Sequence, residues 1–363
     1  MPGPVKSAAP ALGVFVGLHL VGLLVLALIS HKVHGWDLLH LLGNRYDSRW
    51  YDQIAVHGYG RQAPKSYAMF PLFPAMMAVL GPVTPGPTWT AGVLISWCAG
   101  LAAAWGLYML GTHLRDRRTG ILLAALWAVL PHAVIEVSAY TESLFTAFAA
   151  WALWALLTRR WVSAGILTLF AGLTRPSASA LVAAVGLAAG VAVLRRQDGW
   201  RPWLCALLAP VGFVGYLAWV GVRMDRWDGY FWVQAHRWGS RFDGGRYTAT
   251  ALVNYLTRRT DIAMYTCAFV LLTALVLLAL LATERWPWPL IVYAALLLAT
   301  VIGTAGYFHS KARLLLPAFT LLLPLAAGMA NIRTRNAALI IGGLALTSAW
   351  YGSYLLLIWR YSP

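Results

Sequence analysis

The chain has 363 residues, of which 60% are hydrophobic and only 11% are charged, and its mean hydropathy is +0.66. A soluble domain carries roughly 25% charged residues, so the composition excludes an ordinary soluble globular protein. The 28 Lys and Arg residues outnumber the 12 Asp and Glu residues and give a net charge of +16. These basic residues lie in short loops between apolar segments, so we attribute them to membrane topology and expect no nucleic-acid partner.

Long apolar segments recur along the chain, and many approach the roughly 20 residues that a helix needs to cross a membrane. A helix satisfies its own backbone hydrogen bonds, so we predict an all-α polytopic transmembrane helical bundle with about eleven membrane helices. The first is expected to be a retained helix, because no small-residue cleavage site precedes Ser30. The predicted segments are 11–29, 88–110, 121–136, 143–157, 162–173, 178–194, 202–222, 262–282, 287–305, 314–331 and 337–358.

The prolines Pro71, Pro74 and Pro82 interrupt a further apolar segment, 70–83, which we predict to be re-entrant or interfacial. We find no internal repeat and no low-complexity linker. Residues 1–363 are therefore predicted to form a single transmembrane domain with two large loops, 30–70 and 223–261.

The charges of the short loops alternate along the chain. One set is rich in arginine and contains Arg115, Arg117, Arg118, Arg159, Arg160, Arg195, Arg196, Arg201, Arg285, Arg333 and Arg335. By the positive-inside rule these loops and the amino terminus face the cytoplasm. The loops 30–70 and 223–261 then face outward, together with the short turns near 137–142, 174–177 and 306–313. We therefore predict a multi-pass protein of the cell membrane.

Four acidic residues occur at the predicted outer ends of the helices. Asp47 and Asp52 lie in the first outer loop, and Glu136 and Glu142 flank the next outer turn. A carboxylate so close to hydrocarbon is costly unless it is solvated or paired, which makes each one a functional candidate. The structural alternative is that they cap helices or form ion pairs with nearby arginines.

Aromatic and basic residues are expected on the same outer face. The first outer loop runs into the aromatic segment Tyr67–Pro74, which suits the membrane boundary and also suits stacking on a sugar. Thr174-Arg175-Pro176 and His309–Arg313 supply fixed cations of the kind that a lipid phosphate needs, although arginines also snorkel at the interface. Together these residue types predict acid–base chemistry on a lipid-phosphate substrate.

The segment DSRWYDQIAVHGY at 47–59, followed by YAMFPLFP at 67–74, resembles the GPI mannosyltransferase 2 (PIG-V) family. That family shows a Trp-Asp, an Ile-Ala-x-x-Gly-Tyr and a Phe-Pro-x-x-Pro in this order. Ser138–Phe145 is similar to its Tyr-(Ser/Thr)-Glu-x-Leu-Phe element, Thr174–Ser177 to its Arg-(Ser/Pro)-Asn turn, and Arg313–Pro317 to a late Arg-(Phe/Leu)-Leu-x-Pro element.

Three departures from the family pattern indicate a bacterial relative with a different acceptor. Tyr46 stands where the family usually has Trp, and Ser177 stands where it often has Asn. The Glu that commonly precedes the aromatic-proline run is missing from 61–66.

The resemblance implies a GT-C glycosyltransferase with a catalytic carboxylate in the first extracytoplasmic loop. The implied donor is a polyprenyl-phosphate sugar, with mannose as the sugar, and the implied mechanism is inverting. The implied acceptor is a hydroxyl of a lipid-linked or other extracytoplasmic molecule, and membrane lipids are the surroundings. No cofactor is predicted, and divalent-metal dependence stays open.

The resemblance also suggests roles for individual residues. Asp47 matches the family's Asp and is the candidate general base, with Asp52 as the second candidate. On a helix their spacing would point them about 140° apart, so we expect different functions. Glu142 is expected to orient acceptor hydroxyls or an arginine. The candidates for the donor phosphate are Arg175, Lys311 and Arg313.

Residues for the acceptor and its sugar are expected in both outer loops. The second loop is rich in aromatic residues and contains Gly244-Gly245, so we expect it to cover the acceptor site. The candidates are Tyr51, His57, Tyr67, Gln234 and Trp238.

A metal site is not predicted. His57 and His309 are isolated histidines, and Cys98, Cys205 and Cys267 lie within apolar segments at no metal-ligand or disulfide spacing. Two other function classes stay open, a secondary transporter and a lipid flippase or scramblase. A transporter would place its ionisable residues near the membrane midplane at repeat-related broken helices, whereas here they lie at segment ends on one side.

Overall fold

The computed structural model of the protein describes residues 4–33, 37–60 and 64–363. The predicted outer loop 30–70 includes residues 34–36 and 61–63, which lie outside the described residues. Helices dominate the fold, and the prediction of an all-α membrane bundle is confirmed. The helices are α1 Pro4–Val33, α2 Leu38–Gly43, α3 Asp47–His57, α4 Leu72–Leu80, α5 Thr88–Leu114, α6 Arg117–Trp127, α7 Glu142–Leu157, α8 Trp161–Gly172, α9 Ala178–Leu194, α10 Arg201–Leu208, α11 Val211–Met224, α12 Gly229–Arg237, α13 Arg246–Thr257, α14 Ile262–Thr283, α15 Trp288–Gly303, α16 Lys311–Leu314, α17 Leu323–Ala330 and α18 Thr334–Leu357.

Short elements connect these helices. Two strands of two residues each, β1 Arg241–Phe242 and β2 Thr304–Ala305, pair antiparallel and join the second large loop to the end of α15. Five short 3₁₀ turns lie at Pro64–Ala68, Gly81–Val83, Ala133–Val137, Phe308–Ser310 and Phe319–Leu322.

Among the described residues, five helices are long and apolar enough to cross a membrane by length and composition. They are Ser7–Lys32, Thr88–Leu114, Arg201–Met224, Ile262–Thr283 and Thr334–Leu357, and the third combines α10 and α11, which are separated only by Ala209 and Pro210. Shorter apolar helices, among them α7, α8, α9 and α15, lie between these five in the chain. The segment predicted as re-entrant or interfacial, 70–83, contains only the nine-residue α4 and a 3₁₀ turn.

The helix boundaries follow most of the predicted segments, and segment 178–194 coincides with α9. Segment 121–136 differs, because α6 ends at Trp127 and turns occupy 128–141. Pro131 explains this end, since a proline disfavours helical backbone at the residue before it.

Segment 314–331 also differs from the expected continuous helix. The pieces Phe308–Leu314 and Phe319–Ala330 meet at an angle of 71° around Pro317. Two aromatic side chains donate hydrogen bonds to the carbonyls that lose their helical partners at the bend. Trp127 Nε1 donates to Leu316 O at 3.1 Å, and Tyr293 Oη donates to Pro317 O at 2.9 Å. Buried backbone in lipid tolerates a break only with such partners.

Two glycines bring α8 and α11 into close contact. A Cβ added at Gly172 would come within 2.5 Å of Phe213 N, and one added at Gly212 would come within 2.0 Å of Leu169 O. Small residues at such a crossing let two membrane helices approach backbone to backbone. Gly172 ends α8 three residues before Arg175, so this contact fixes the position of the turn that carries Arg175.

Candidate functional site

Asp47 begins α3 and points toward a cation from a distant part of the chain. Its Oδ2 lies 2.8 Å from Arg313 Nη1, and its side chain is 18% exposed. The preceding residue, Tyr46, has φ 53°, a backbone conformation that is uncommon outside glycine. Such conformations persist where surrounding contacts over-determine them, and Tyr46 Oη donates to Trp359 O at 2.8 Å. The turn that presents Asp47 is therefore held from two sides.

Glu142 begins α7 and lies between two arginines. Its Oε1 is 3.2 Å from Arg175 Nη1 and 3.4 Å from Arg313 Nε. The Glu142, Arg175 and Arg313 side chains are only 2%, 6% and 10% exposed. Asp47, Glu142, Arg175 and Arg313 thus form one buried group of charges, called here the ion cluster.

Separate elements deliver the two arginines. Arg175 lies in the turn between α8 and α9, and the start of α4 is tied to this turn because Leu72 N donates to Leu173 O at 2.9 Å. Arg313 lies on the short α16, just before the bend at Pro317. The Tyr140 ring packs against Arg313, with 5.2 Å from the guanidinium carbon to the ring centroid, a cation–π geometry. Arg313 Nη1 also donates to Ser362 Oγ at 3.2 Å.

The ion cluster has hydrogen-bonding capacity that the described residues do not use. Glu142 Oε2, the Nε and Nη1 atoms of Arg175, and Arg313 Nε are buried and have no hydrogen-bond partner among the described residues. Both arginines lie within ion-pair distance of Glu142 Oε1, but the angles of these contacts are not those of hydrogen bonds. A buried polar atom without a partner costs about 1–3 kcal/mol, so ordered water or a ligand is expected to supply the partners of this group.

Asp52, the second candidate base, lies on the same helix as Asp47 but faces a different neighbour. Its Oδ1 is buried and has no hydrogen-bond partner among the described residues. Burial raises the pKa of Asp52, while His57 and the backbone of Trp89, at the start of α5, act in the opposite direction. The N-terminus of a helix favours a nearby carboxylate.

Lys311, a candidate for the donor phosphate, is not brought into the ion cluster. Its side chain is buried, and its Nζ donates to the carbonyls of Val301 and Thr304 at the end of α15. A cation at the carboxyl end of a helix binds the last carbonyls and the negative end of the dipole. His309, two residues earlier, lies against the rings of Trp359 and Tyr361.

The predicted sugar-binding residues of the first loop occupy three environments. Tyr51 is buried beside the ion cluster, and its Oη lies 3.5 Å from Thr141 Oγ1, next to Glu142. Tyr67 is buried in an aromatic cluster, where its ring stacks on Tyr59 with centroids 5.8 Å apart. His57 is exposed at the end of α3.

The second loop reaches the first through Trp238. Its Nε1 donates to Lys65 O at 3.1 Å, and its ring meets Trp50 edge-on with centroids 5.7 Å apart. Gln234 donates to Tyr230 Oη at 2.8 Å and so stabilises α12 itself. The predicted cover is thus in contact with the loop that carries Asp47.

An apolar cavity of about 390 Å³ lies between α4, α5, α7 and α8. Leu144 lines this cavity from α7, and Glu142, two residues earlier, lies about 200° away around the same helix. The other lining residues include Met76, Leu80, Leu94, Cys98 and Trp151.

The sequence singled out Glu136 only as one of four acidic candidates, and sequence reasoning assigned no role to Tyr140, Ser362 or His19, although all four are close to the site. Tyr140 belongs to the Tyr-Thr-Glu motif, which was a usable signal. Ser362 contacts Arg313 across 49 residues, and no local pattern marks it. His19 is a single polar residue in an apolar helix, and its 3.2 Å contact with Glu136 spans 117 residues.

Within the described ranges, no group of three or more His, Cys, Asp or Glu residues could hold a metal ion.

The arrangement of helices is similar to that of known membrane proteins. The crystal structure of ArnT from Cupriavidus metallidurans bound to undecaprenyl phosphate has a TM-score of 0.55 and 16% identity, covering 92% of this chain and 63% of that chain. The apo state of the same protein has a TM-score of 0.55 and 15% identity, covering 93% and 62%. The Archaeoglobus fulgidus oligosaccharyltransferase in the apo form has a TM-score of 0.50 and 14% identity, covering 95% and 55%.

At identities this low the likeness shows the fold alone, and that fold is of the GT-C type. The chain spans about 63% of the length of the ArnT chain. No protein-family model matches the sequence, and no curated protein matches it either. The resemblance to the PIG-V family therefore stays a prediction.

Proposed function

We propose that the protein is a membrane-embedded inverting glycosyltransferase. It moves a sugar, mannose by family resemblance, from a polyprenyl-phosphate donor to a hydroxyl of a lipid-linked or other extracytoplasmic acceptor. The observation that carries this proposal is the ion cluster, in which the partly exposed Asp47 pairs with Arg313, Glu142 lies between Arg313 and Arg175, and both buried arginines have unused donor atoms. Similarity of fold to ArnT bound to undecaprenyl phosphate supports a lipid-linked donor.

In the proposed reaction the acceptor oxygen attacks the anomeric carbon of the donor sugar. The bond from that carbon to the phosphate oxygen breaks, and its electron pair leaves with the polyprenyl phosphate. Asp47 takes the proton of the acceptor hydroxyl, which makes this oxygen a better nucleophile. Arg175 and Arg313 stabilise the charge that grows on the leaving phosphate.

Arg313 links binding to base activation in this proposal. The ion cluster contains two acidic and two basic side chains, so its formal charges balance. An arriving phosphate competes with Asp47 for Arg313 Nη1, and an Asp47 oxygen released from this contact is free to accept the proton of the acceptor hydroxyl. Lys311 holds the end of α15 in this scheme instead of contacting the phosphate.

The apolar cavity between α4, α5, α7 and α8 offers a place for the hydrocarbon chain of the donor. An isoprenoid chain gains free energy from each apolar contact that replaces water, and inside a bilayer it gains from close packing. Such a donor has one anionic and one apolar end, and α7 contributes to a surface for each: Glu142 to the ion cluster and Leu144 to the cavity.

The test is sugar transfer by purified protein from labelled polyprenyl-phosphate-mannose to total membrane extract, with polyprenyl-phosphate-glucose in a parallel arm. Asp47→Asn keeps the size of the side chain but removes the base, so we expect transfer to fall by about 10²–10⁴-fold. Asp228→Asn is the matched control, because Asp228 pairs with Arg226 on an exposed part of the second loop.

Full transfer by folded Asp47→Asn protein would contradict the assignment of the base. A second outcome is that the intact donor crosses the membrane of reconstituted vesicles and no labelled product forms. This outcome would favour the flippase or transporter class. Faster transfer of glucose than of mannose would correct the donor sugar alone.

A further inference from the structure

A buried polar pair joins the first helix to the turn that precedes α7. His19 Nε2 lies 3.2 Å from Glu136 Oε2, and the two side chains are 4% and 0% exposed. His19 belongs to the candidate membrane span Ser7–Lys32, and the ring of Phe15 meets it edge-on with centroids 4.4 Å apart. An ionisable side chain within a membrane span is expensive, so a buried pair that includes one generally has a function.

The turn that contains Glu136 carries two residues of the site. Tyr140, whose ring packs against Arg313, lies four residues after Glu136, and Glu142 lies six residues after it. Residues 128–141 contain no α-helix, so their positions depend on contacts with neighbouring elements. Without these contacts the conformational entropy of the turn would favour many arrangements.

Hydrogen bonds hold this turn from several directions. Ser143 Oγ donates to Glu136 O at 2.6 Å, Ala139 N donates to Leu42 O at 2.9 Å, and Ser96 Oγ donates to Tyr140 O at 3.1 Å. These bonds attach the turn to α7, α2 and α5. The His19–Glu136 contact attaches it to α1.

We propose that His19 and Glu136 are positioning residues, which hold the turn 133–141 so that Glu142 and Tyr140 meet Arg313. The inference rests on the proposed function, because the geometry it protects is that of the ion cluster. Neither side chain contacts the substrate, and the pair acts through Glu142 and Tyr140.

The test compares kcat, donor KM and backbone hydrogen exchange at 133–143 in three variants. Glu136→Ala removes the contact, Glu136→Gln keeps an oxygen at the same distance from His19, and His19→Phe fills the ring space without a polar atom. We expect Glu136→Ala and His19→Phe to lower kcat about 100-fold, since a displacement near 1 Å costs that much. Donor KM should stay within about threefold, because other elements carry Arg175 and Arg313.

Rescue by the conservative variant separates positioning from bulk stability. Glu136→Gln should keep kcat within about threefold of the wild type, and exchange at 133–143 should rise about tenfold in Glu136→Ala but not in Glu136→Gln. If Glu136→Ala yields no folded protein, His19→Phe decides by the same two measurements. Wild-type kcat and exchange in folded His19→Phe would overturn the inference.

Hydrogen exchange also distinguishes the two possible failures. If wild-type protein transfers no sugar, the proposed function has failed, and the exchange data alone still decide whether the pair holds the turn. If wild-type protein transfers sugar and Glu136→Gln is as inactive as Glu136→Ala, the proposed function stands and the inference is wrong.

Discussion

Arg313 is the residue on which most contacts of the site depend. Its guanidinium lies against Asp47, Glu142, Ser362 and the Tyr140 ring at the same time. A planar guanidinium can do this because its five N–H groups point in fixed, separate directions. A lysine ammonium has no such fork, and it could not face all four neighbours.

Replacement of Arg313 should therefore affect activity and stability differently. Arg313→Lys keeps the charge but loses the fork, and we expect kcat/KM to fall by about 10²–10³-fold. Arg313→Met leaves Asp47 without its ion-pair partner and Glu142 with Arg175 alone, and removal of one partner from a buried charged group costs about 3–5 kcal/mol.

Thermal unfolding in detergent measures the second effect. Arg226→Met is the control, because it removes the exposed partner of Asp228 and should leave the Tm unchanged. An Arg313→Met protein with the Tm and kcat/KM of the wild type would contradict the central place of Arg313.

Sequence motifs identified the four residues of the ion cluster, but they did not identify which nearby residues lie outside it. Asp47, Glu142, Arg175 and Arg313 each belong to a recognisable motif, and the structure brings the four together. Their roles stay predictions. Lys311 lies two residues before Arg313 on the same short turn, but the helix periodicity there points it toward α15. A charge count cannot foresee such a difference in direction.

At the scale of helices, the glycine contact between α8 and α11 determines where Arg175 lies. Gly212 has no room for a side chain, because a Cβ there would lie 2.0 Å from Leu169 O. Gly215, on the same helix, has no heavy atom within 4 Å of its ideal Cβ position. Gly212 and Gly215 therefore serve as a test position and a control position on the same helix.

Gly212→Ala should destabilise the protein, because the obstructing atom is backbone and α8 must move away. Overpacking of this kind costs about 1–3 kcal/mol, and the shift should displace Arg175 and lower kcat. Gly215→Ala should leave the Tm and kcat close to wild type. Equal Tm and kcat for the two variants would mean that the close approach does not exist.

Apolar length predicted the helices well, and it failed where the chain breaks. Segment 178–194 is apolar and uninterrupted, and α9 occupies it fully. The breaks at Pro131 and Pro317 lie inside equally apolar stretches. A proline favours a break, but only tertiary partners such as Trp127 and Tyr293 decide whether the freed carbonyls are satisfied.

At the scale of the whole molecule, the loops contact one another in the two groups that their charges predicted. Among the arginine-rich loops, Arg118 donates to Ile332 O, Arg115 packs on Trp286, and Arg159 pairs with Asp198. Among the loops predicted to be outside, the ion cluster, the Trp238 contact with Lys65 and the β1–β2 pairing make the connections. The charge pattern thus sorts the loops into two ends, and the orientation of these ends in the cell stays a prediction.

Cysteine labelling in intact cells tests that orientation. The native Cys98 is exposed, so the background needs Cys98→Ser, whereas Cys205 and Cys267 are buried. Gln53→Cys lies on an exposed position of α3 and should react with a membrane-impermeant maleimide from outside. Arg285→Cys, in an exposed inner loop, should react only after permeabilisation. The reverse pattern would invert the topology and place the ion cluster on the cytoplasmic side.

The bend at Pro317 has a consequence for the synthesis of the protein. The segment around it cannot rest in lipid by itself, because the carbonyls of Leu316 and Pro317 need donors from Trp127 and Tyr293. Both donors precede the bend in the chain, on α6 and α15, so the ribosome has already made them when the bend emerges. Arg313 can therefore enter the ion cluster only after most of the bundle has been inserted, which makes the site one of the last parts of the molecule to assemble.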